Sequence, residues 1–352
     1  MTLDAPGSVF LAEIREQPNA LRRLLEHRDV YEEVAREAAA REPHVVRLVG
    51  HGSSDNAASY GVYAFGLQSA WTALRDSISL SVYYGAQLDL QRSIVIGLSQ
   101  SGRTPDVVTY VARARELGAF TVAVTNEVGS ELALAADATL PLAAGSENAV
   151  AASKTFTNQI AALLLLAGAV SGRGAEVAAD IEQTAALMED ALPGIEHAVD
   201  AVATAFAYVG RMYVIGRGIE FATAREVALK LTETCRVAAE PLTSTDLAHG
   251  PIAALDPLFP VWTIASRDET LPAAVDAARR ARATGATLVA SGNAASEIEG
   301  AAYTLPVPEP PLPLLAPLLS VVPGQLFAAA LALARGLDSD SPEGLTKVTL
   351  AQ

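Results

Sequence analysis

Glu226, Lys230 and Glu233 lie at i, i+4 and i+7 in the segment ATAREVALKLTET (222–234). A helix there puts all three on one face. On a surface helix this spacing makes a solvated ion-pair ladder. The Ala, Val, Leu and Thr residues around them keep a second reading open, in which a half-buried carboxylate and amine have proton affinities suited to proton transfer. Downstream, Asp246-Leu-Ala-His249-Gly-Pro251 sets a histidine in a turn, where a structural or a catalytic role fits. Lys347, in Glu343-Gly-Leu-Thr-Lys-Val348, is one lysine among few in its region and carries no meaning by itself.

Three loops of small and hydroxyl residues complete the candidates. Gly50-His-Gly-Ser-Ser-Asp-Asn56 contains Gly52, Ser53 and Ser54. Ser99-Gln-Ser-Gly-Arg-Thr104 offers the hydroxyls of Ser99, Ser101 and Thr104, the amide of Gln100, and Gly102 for a tight backbone path. Val150-Ala-Ala-Ser-Lys154 opens a helical stretch that runs to about 170. Hydroxyls around a helix start whose N–H groups point outward make a phosphate cradle that needs no lysine. An ordinary capped turn uses the same residue types.

These loops need elements to hold them, and the chain writes those elements twice. VVRLVGHG (45–52) is answered by MYVIGRG (212–218), and SIVIGLS (93–99) by PVWTIAS (260–266). ARARELGAFTVAVTN (112–126) recurs as ARRARATGATLVASG (278–292), and ATLPL (138–142) as YTLPV (303–307). The offset stays near 166 residues, with drifts of one. Short apolar strands alternate with helical segments in each copy, which is the pattern of right-handed βαβ units. The fold class expected is α/β: two tandem, doubly wound domains, each a parallel sheet between helix layers. Ligands of such sheets bind beyond the carboxyl ends of the strands, where the three loops fall. The second copy has ASRDET (265–270) in place of the Ser99–Thr104 loop. It lacks the glycine and carries two carboxylates, so only the first loop is expected to hold phosphate. The domains expected are a helical lead-in at 1–43, a first domain at 44–190, a second at 191–336, and a tail at 337–352.

The bulk composition narrows the classes. With 352 residues, 51% of them hydrophobic and 18% charged, each copy can bury a core of its own. A formal net charge of −15 opposes general nucleic-acid binding. One cysteine, Cys235, and five histidines without ligand spacing suggest neither disulfide nor metal. No leader pattern opens the chain. The apolar stretch 312–334 is interrupted by Pro313, Pro317, Pro323 and Gln325 and reads as buried core, so a cytoplasmic protein with no membrane partner is expected.

Taken together these residues resemble the sugar-isomerase domain family, in particular the isomerase half of glucosamine-6-phosphate synthase. The resemblance begins at LAEIREQP (11–18). It continues through Gly52-Ser-Ser54, Ser99–Thr104 and VAASKTF (150–156), then REVALKLTE (225–233), AHGP (248–251) and Leu345-Thr-Lys347. It implies that Ser53, Ser54, Ser99, Gln100, Ser101 and Thr104 grip a sugar phosphate, with a backbone contact from Val150. Glu233 would be the base between C1 and C2, Lys230 would assist proton traffic at the oxygens, and Glu226 would support them. His249, reaching in from the neighbouring subunit of a homodimer, would open the sugar ring. Lys347 would form a Schiff base with an open-chain ketose. No cofactor is implied.

Two departures shape the expected reaction. Met1 is followed by Thr2, without the catalytic cysteine and glutaminase domain of the amide-donating synthases, and the synthase turn Cys-Gly-Thr-Ser is His51-Gly-Ser-Ser here. The expectation is release of ammonia from glucosamine 6-phosphate to give fructose 6-phosphate. A fructosamine-6-phosphate deglycase, an aldose–ketose isomerase and a non-catalytic sugar-phosphate sensor are the alternatives.

Overall fold

The computed structural model describes residues 6–347, so Met1 and Thr2 lie outside the described residues, as does the end of the 337–352 tail. The chain forms two compact units. One contains residues 19–147 and 154–182 together with Thr346 and Lys347; the other contains the residues up to Pro18, the segment 148–153, and 183–345. The split between Glu182 and Gln183 falls inside one long helix.

Three helices lead in: α1 (Ser8–Arg15), α2 (Gln17–Leu25) and α3 (Arg28–Ala40). The first sheet then alternates with its helices: β1 (Val45–Val49), α4 (Ser53–Ala64), β2 (Ala73–Arg75), α5 (Ile78–Val82), β3 (Ser93–Leu98), α6 (Pro105–Glu116), β4 (Phe120–Thr125), α7 (Glu131–Ala135) and β5 (Ala138–Pro141). α8 (Lys154–Val170) and α9 (Gly174–Ala205) follow. All strand pairs are parallel, in the order β2-β1-β3-β4-β5, with Val46 opposite Ile94 and Ile96 opposite Val122. Both β3 and β4 are buried along their whole length, as strands covered by helices on two faces must be. Val95, Val107, Tyr110, Val111 and Ala123 form the core beneath α6.

The second sheet repeats the plan: β6 (Arg211–Ile215), α10 (Glu220–Cys235), β7 (Ala238–Leu242), α11 (Ser244–Ala248), β8 (Pro260–Ile264), α12 (Leu271–Ala283), β9 (Thr287–Gly292), β10 (Tyr303–Pro306) and α13 (Ala316–Ala334). Its order is β7-β6-β8-β9-β10, the same topology, again all parallel. The structure thus has the two doubly wound α/β domains that the internal repeat predicts. The edge strands β2 and β7 escape a search by apolar runs, because an edge strand is half exposed and β7 includes Glu240 and Pro241.

α13 lies within the apolar stretch expected to be core, and 94% of its most apolar window is buried in the protein. It packs along α10. At Gly324 an added Cβ would stand 2.2 Å from Cγ2 of Val227 and 2.8 Å from its Cγ1. Glycine is therefore the residue that lets the helix bearing Glu226 and Lys230 sit this close. Cys235, at the end of α10, donates from Sγ to the Ala328 carbonyl at 3.1 Å, and burial pushes its thiol up to about 11. It packs as a small core residue.

In the same unit the tail residue Asp340 accepts from the Val9 and Phe10 amides at 3.1 and 2.7 Å, capping α1. Its carbonyl accepts from Val150 N at 2.9 Å, and Glu13 accepts from Asn148 N and Ala149 N at 2.5 and 3.3 Å. The loop around Val150 is thus fixed by two carboxylate-bearing residues far from it in sequence. Gly324→Ala should destabilise the protein by about 1–3 kcal/mol through overpacking against Val227. A denaturant midpoint unchanged from wild type would show that α13 can shift away at no cost.

Candidate active site

On α10 the three spaced residues form one cluster. Lys230 Nζ lies 2.6 Å from Glu233 Oε2 and 3.3 Å from Glu226 Oε1. The Lys230 and Glu226 side chains are fully buried, while 24% of the Glu233 side chain is exposed. The set is therefore not a solvated ladder. Burial pulls the Lys230 proton affinity down, but the charges of Glu226 and Glu233 outweigh it and raise the lysine well above its ordinary value. Lys230 is thus held as an ammonium, able to donate hydrogen bonds but not to remove a proton. Removing Glu226 would leave that charge under-compensated, at a cost of about 3–5 kcal/mol. Glu233 is the partly exposed member and lines a cleft of about 600 Å³, together with Arg236, Asp338, Ser341 and Glu343 of the same unit. A carboxylate facing a cleft, backed by a fixed ammonium, can take a proton from bound substrate and return it.

His249 follows α11, whose start is fixed by a capping box of Thr243 and Asp246. The Thr243 hydroxyl bonded to Asp246 holds that carboxyl below its usual range. His249 itself is exposed.

In the first-sheet unit, Ser99–Thr104 joins β3 to α6 beyond the carboxyl edge of the sheet. Ser99 Oγ and Thr104 Oγ1 are 3.0 Å apart, and Ser99 Oγ also accepts from Gly102 N at 3.1 Å. Gly102 has φ +62°, and a Cβ there would collide with the Ser130 hydroxyl, so glycine is required twice over. Ser101 Oγ accepts from Arg103 N at 3.3 Å, and the Gln100 carbonyl accepts from Asn126 N. Thr104 stands at the N-cap of α6 without a side-chain cap bond, and Pro105 supplies no N–H. The first turn of α6 carries Asp106, whose carboxylate accepts from the Tyr83 hydroxyl. Gly52, φ +56°, precedes α4 with open space at its Cα; Ser53 starts that helix, and the buried Ser54 accepts from Gln159 Nε2 at 2.8 Å. Lys347 is in this unit as well, its Nζ 2.8 Å from Oε2 of the buried Glu147. Val150 lies in the other unit, with its amide on Asp340. Among the described residues no cluster of three or more His, Cys, Asp or Glu forms a metal site.

A model of the SIS domain matches residues 41–169 and 206–335. The chain belongs to the SIS domain family. It is 33% identical over 347 residues to an isomerizing glutamine–fructose-6-phosphate aminotransferase of Thermococcus kodakarensis, covering 96% of this chain and 57% of that one. The chain therefore spans under three-fifths of the length of such relatives. Its fold matches the C-terminal domain of glucosamine-fructose-6-phosphate aminotransferase from Francisella tularensis with a TM-score of 0.85 at 22% identity, covering 95% of this chain and 98% of that one. It also matches glucosamine-6-phosphate deaminase from Thermotoga maritima with a TM-score of 0.77 at 20% identity, covering 98% and 100%. At those identities the likeness is one of fold.

The two SIS domains differ at corresponding places. Ser54, two residues beyond Gly52, is answered by Glu220, two beyond Gly218, and Ser99 is answered by Ser266. Glu220 is buried and accepts from the hydroxyls of Ser266 and Thr223, the latter at 2.6 Å. The second SIS domain thus carries its own carboxylate among the hydroxyls that the first leaves for one another. Sequence spacing missed this plug, as it missed Glu147. The available signal was a lone carboxylate beside each Gly- or Ser-rich turn, but the hydroxyls that answer Glu220 come from separate elements.

Burial raises the Glu220 carboxyl above the usual carboxylate range, and its hydrogen bonds only partly reverse this. A folded-state value above the unfolded one gives stability that is fully present at acid pH and lost as pH rises through the folded value. Glu220→Gln lacks that loss. The melting temperature of wild type relative to the variant should accordingly climb as pH falls from 7.5 towards 5. A difference that stays constant with pH would mean that Glu220 is not ionising in a buried setting.

Proposed function

We propose that this SIS-domain chain is an enzyme that moves a proton between C1 and C2 of a hexose 6-phosphate. Its specific reaction would be deamination and isomerisation of glucosamine 6-phosphate to fructose 6-phosphate and ammonia. The observation that carries the reading is the α10 cluster, in which a buried ammonium and carboxylate support a single carboxylate that reaches a cleft. An enolisation needs that pairing: a base at the carbon and a fixed positive charge for the oxygen that gains electron density. The relatedness to aminotransferases acting on fructose 6-phosphate supports the substrate class.

In this reading the Ser99–Thr104 loop and the α6 N-terminus seat the phosphate, with Ser53, Ser54, Gln100 and Ser101 on the phosphate or hydroxyls and a backbone contact from Val150. His249 of the partner subunit in a cytoplasmic homodimer opens the ring. Glu233 takes the C2 proton of the open-chain aldehyde and delivers it to C1, while the C1 oxygen gains a proton and the C2 amine gives one up, which leaves an alcohol at C1 and an imine at C2. Lys347 exchanges with the C2 nitrogen and releases ammonia, and water then frees the ketose and the lysine. A deglycase acting on a fructosamine 6-phosphate would use the same groups around a larger amine, and the turnover panel below separates the two.

Ammonia release should be measured with glucosamine 6-phosphate, and amine release with fructosamine 6-phosphates. Glu233→Gln should lower kcat by about 10²- to 10⁴-fold with KM little changed. A Glu233→Gln protein with wild-type turnover would remove the assigned base, and turnover of the fructosamine phosphates alone would move the assignment to the deglycase.

A further inference from the structure

Lys347 reaches its place through one contact that the proposed reaction does not by itself require. Its side chain is 23% exposed, and its ammonium meets Glu147, whose carboxylate is fully buried. Glu147 is held in turn: Oε1 accepts from Thr155 N at 3.0 Å, and Oε2 from Thr155 Oγ1 at 2.7 Å as well as from Lys347. Thr155 is the second residue of α8, so the carboxylate lies in the first turn of that helix, where the macrodipole favours negative charge. All three residues belong to the unit that carries the Ser99–Thr104 loop. The carboxylate is therefore held by Thr155 independently of the lysine.

We propose that Glu147 is the positioning residue for Lys347: it docks the tail lysine in the SIS domain that bears the hydroxyl loop, and it takes and returns the proton that gates imine formation. This rests on the reading of Lys347 as the imine-forming lysine. An ammonium is not a nucleophile, so the resting ion pair must first transfer a proton. The Nζ–H bond breaks with its electrons left on nitrogen and the proton on Glu147 Oε2. The freed amine adds to the ketose C2, and one of its two remaining hydrogens passes to the C2 oxygen. The proton on Glu147 then goes to that hydroxyl, which leaves as water, while nitrogen forms the double bond to C2. Lysine ammonium and ketone become protonated imine and water, and Glu147 ends as the carboxylate it was.

The test is borohydride trapping on the full-length protein with fructose 6-phosphate, read by peptide mass spectrometry. Wild type should gain the reduced hexitol adduct on Lys347. Glu147→Gln keeps the shape and can still accept from Thr155 N through Oε1, but it cannot accept the proton. It should trap at least tenfold more slowly, and lower kcat by a similar factor while KM stays within about twofold. Glu147→Asp, which keeps the charge at shorter reach, should recover part of that loss and also covers the case in which the glutamine variant folds poorly. Trapping in Glu147→Gln at the wild-type rate, or a raised KM with unchanged kcat, overturns the role of Glu147 and leaves the imine intact. Absence of the adduct in wild type overturns both the role of Glu147 and the imine, whereas ammonia release without any adduct would leave the proposed overall reaction standing.

Discussion

The structure turns on a lysine ammonium taken entirely out of water. Lys230 is tolerated in the core because carboxylates, Glu226 and Glu233 among its partners, meet it from one turn on either side. That constraint fixes the helix register, because a carboxylate moved by one position would leave the arc around Nζ. Alongside, α13 packs on α10, and Gly324 lets the two helices come close at Val227. The cluster is negative by one charge if all three groups ionise. The excess sits on Glu233, the one member open to a cleft.

The two SIS domains share a topology and divide its uses. Both end their first strand in Gly-x-Gly and pack a helix behind it. In the first, the hydroxyls beyond the strand ends bond one another or loop amides, and the space beside Gly52 is open. In the second, Glu220 sets its carboxyl group among the hydroxyls, and the same helix carries the charged triad further on. Duplication followed by plugging of one cradle is a physically simple way to obtain one anion seat and one proton-transfer helix from the same fold.

Long-range contacts of the tail and lead-in serve the loops. Asp340 both caps α1 and holds Val150, and Glu13 holds the two amides before it. Each carboxylate satisfies backbone donors that a helix end or a loop would otherwise leave bare. The segment 337–347 forms no helix or strand.

The amino-acid sequence by itself determined the doubled α/β architecture, since apolar runs ending in Gly-x-Gly at a near-constant offset admit few other parallel sheets. It also put Glu226, Lys230 and Glu233 on one face, because helical spacing is a local property. It was silent on whether that face is wet or dry, as burial depends on what the whole chain packs around α10, including elements almost a hundred residues downstream. The half-exposed edge strands β2 and β7 carry no apolar run to read. Glu147 with Lys347, Glu220 with Ser266, and Asp340 with α1 were settled only by tertiary structure. A carboxylate finds its partner through the path of the whole chain, and no periodicity in the sequence records where that path returns.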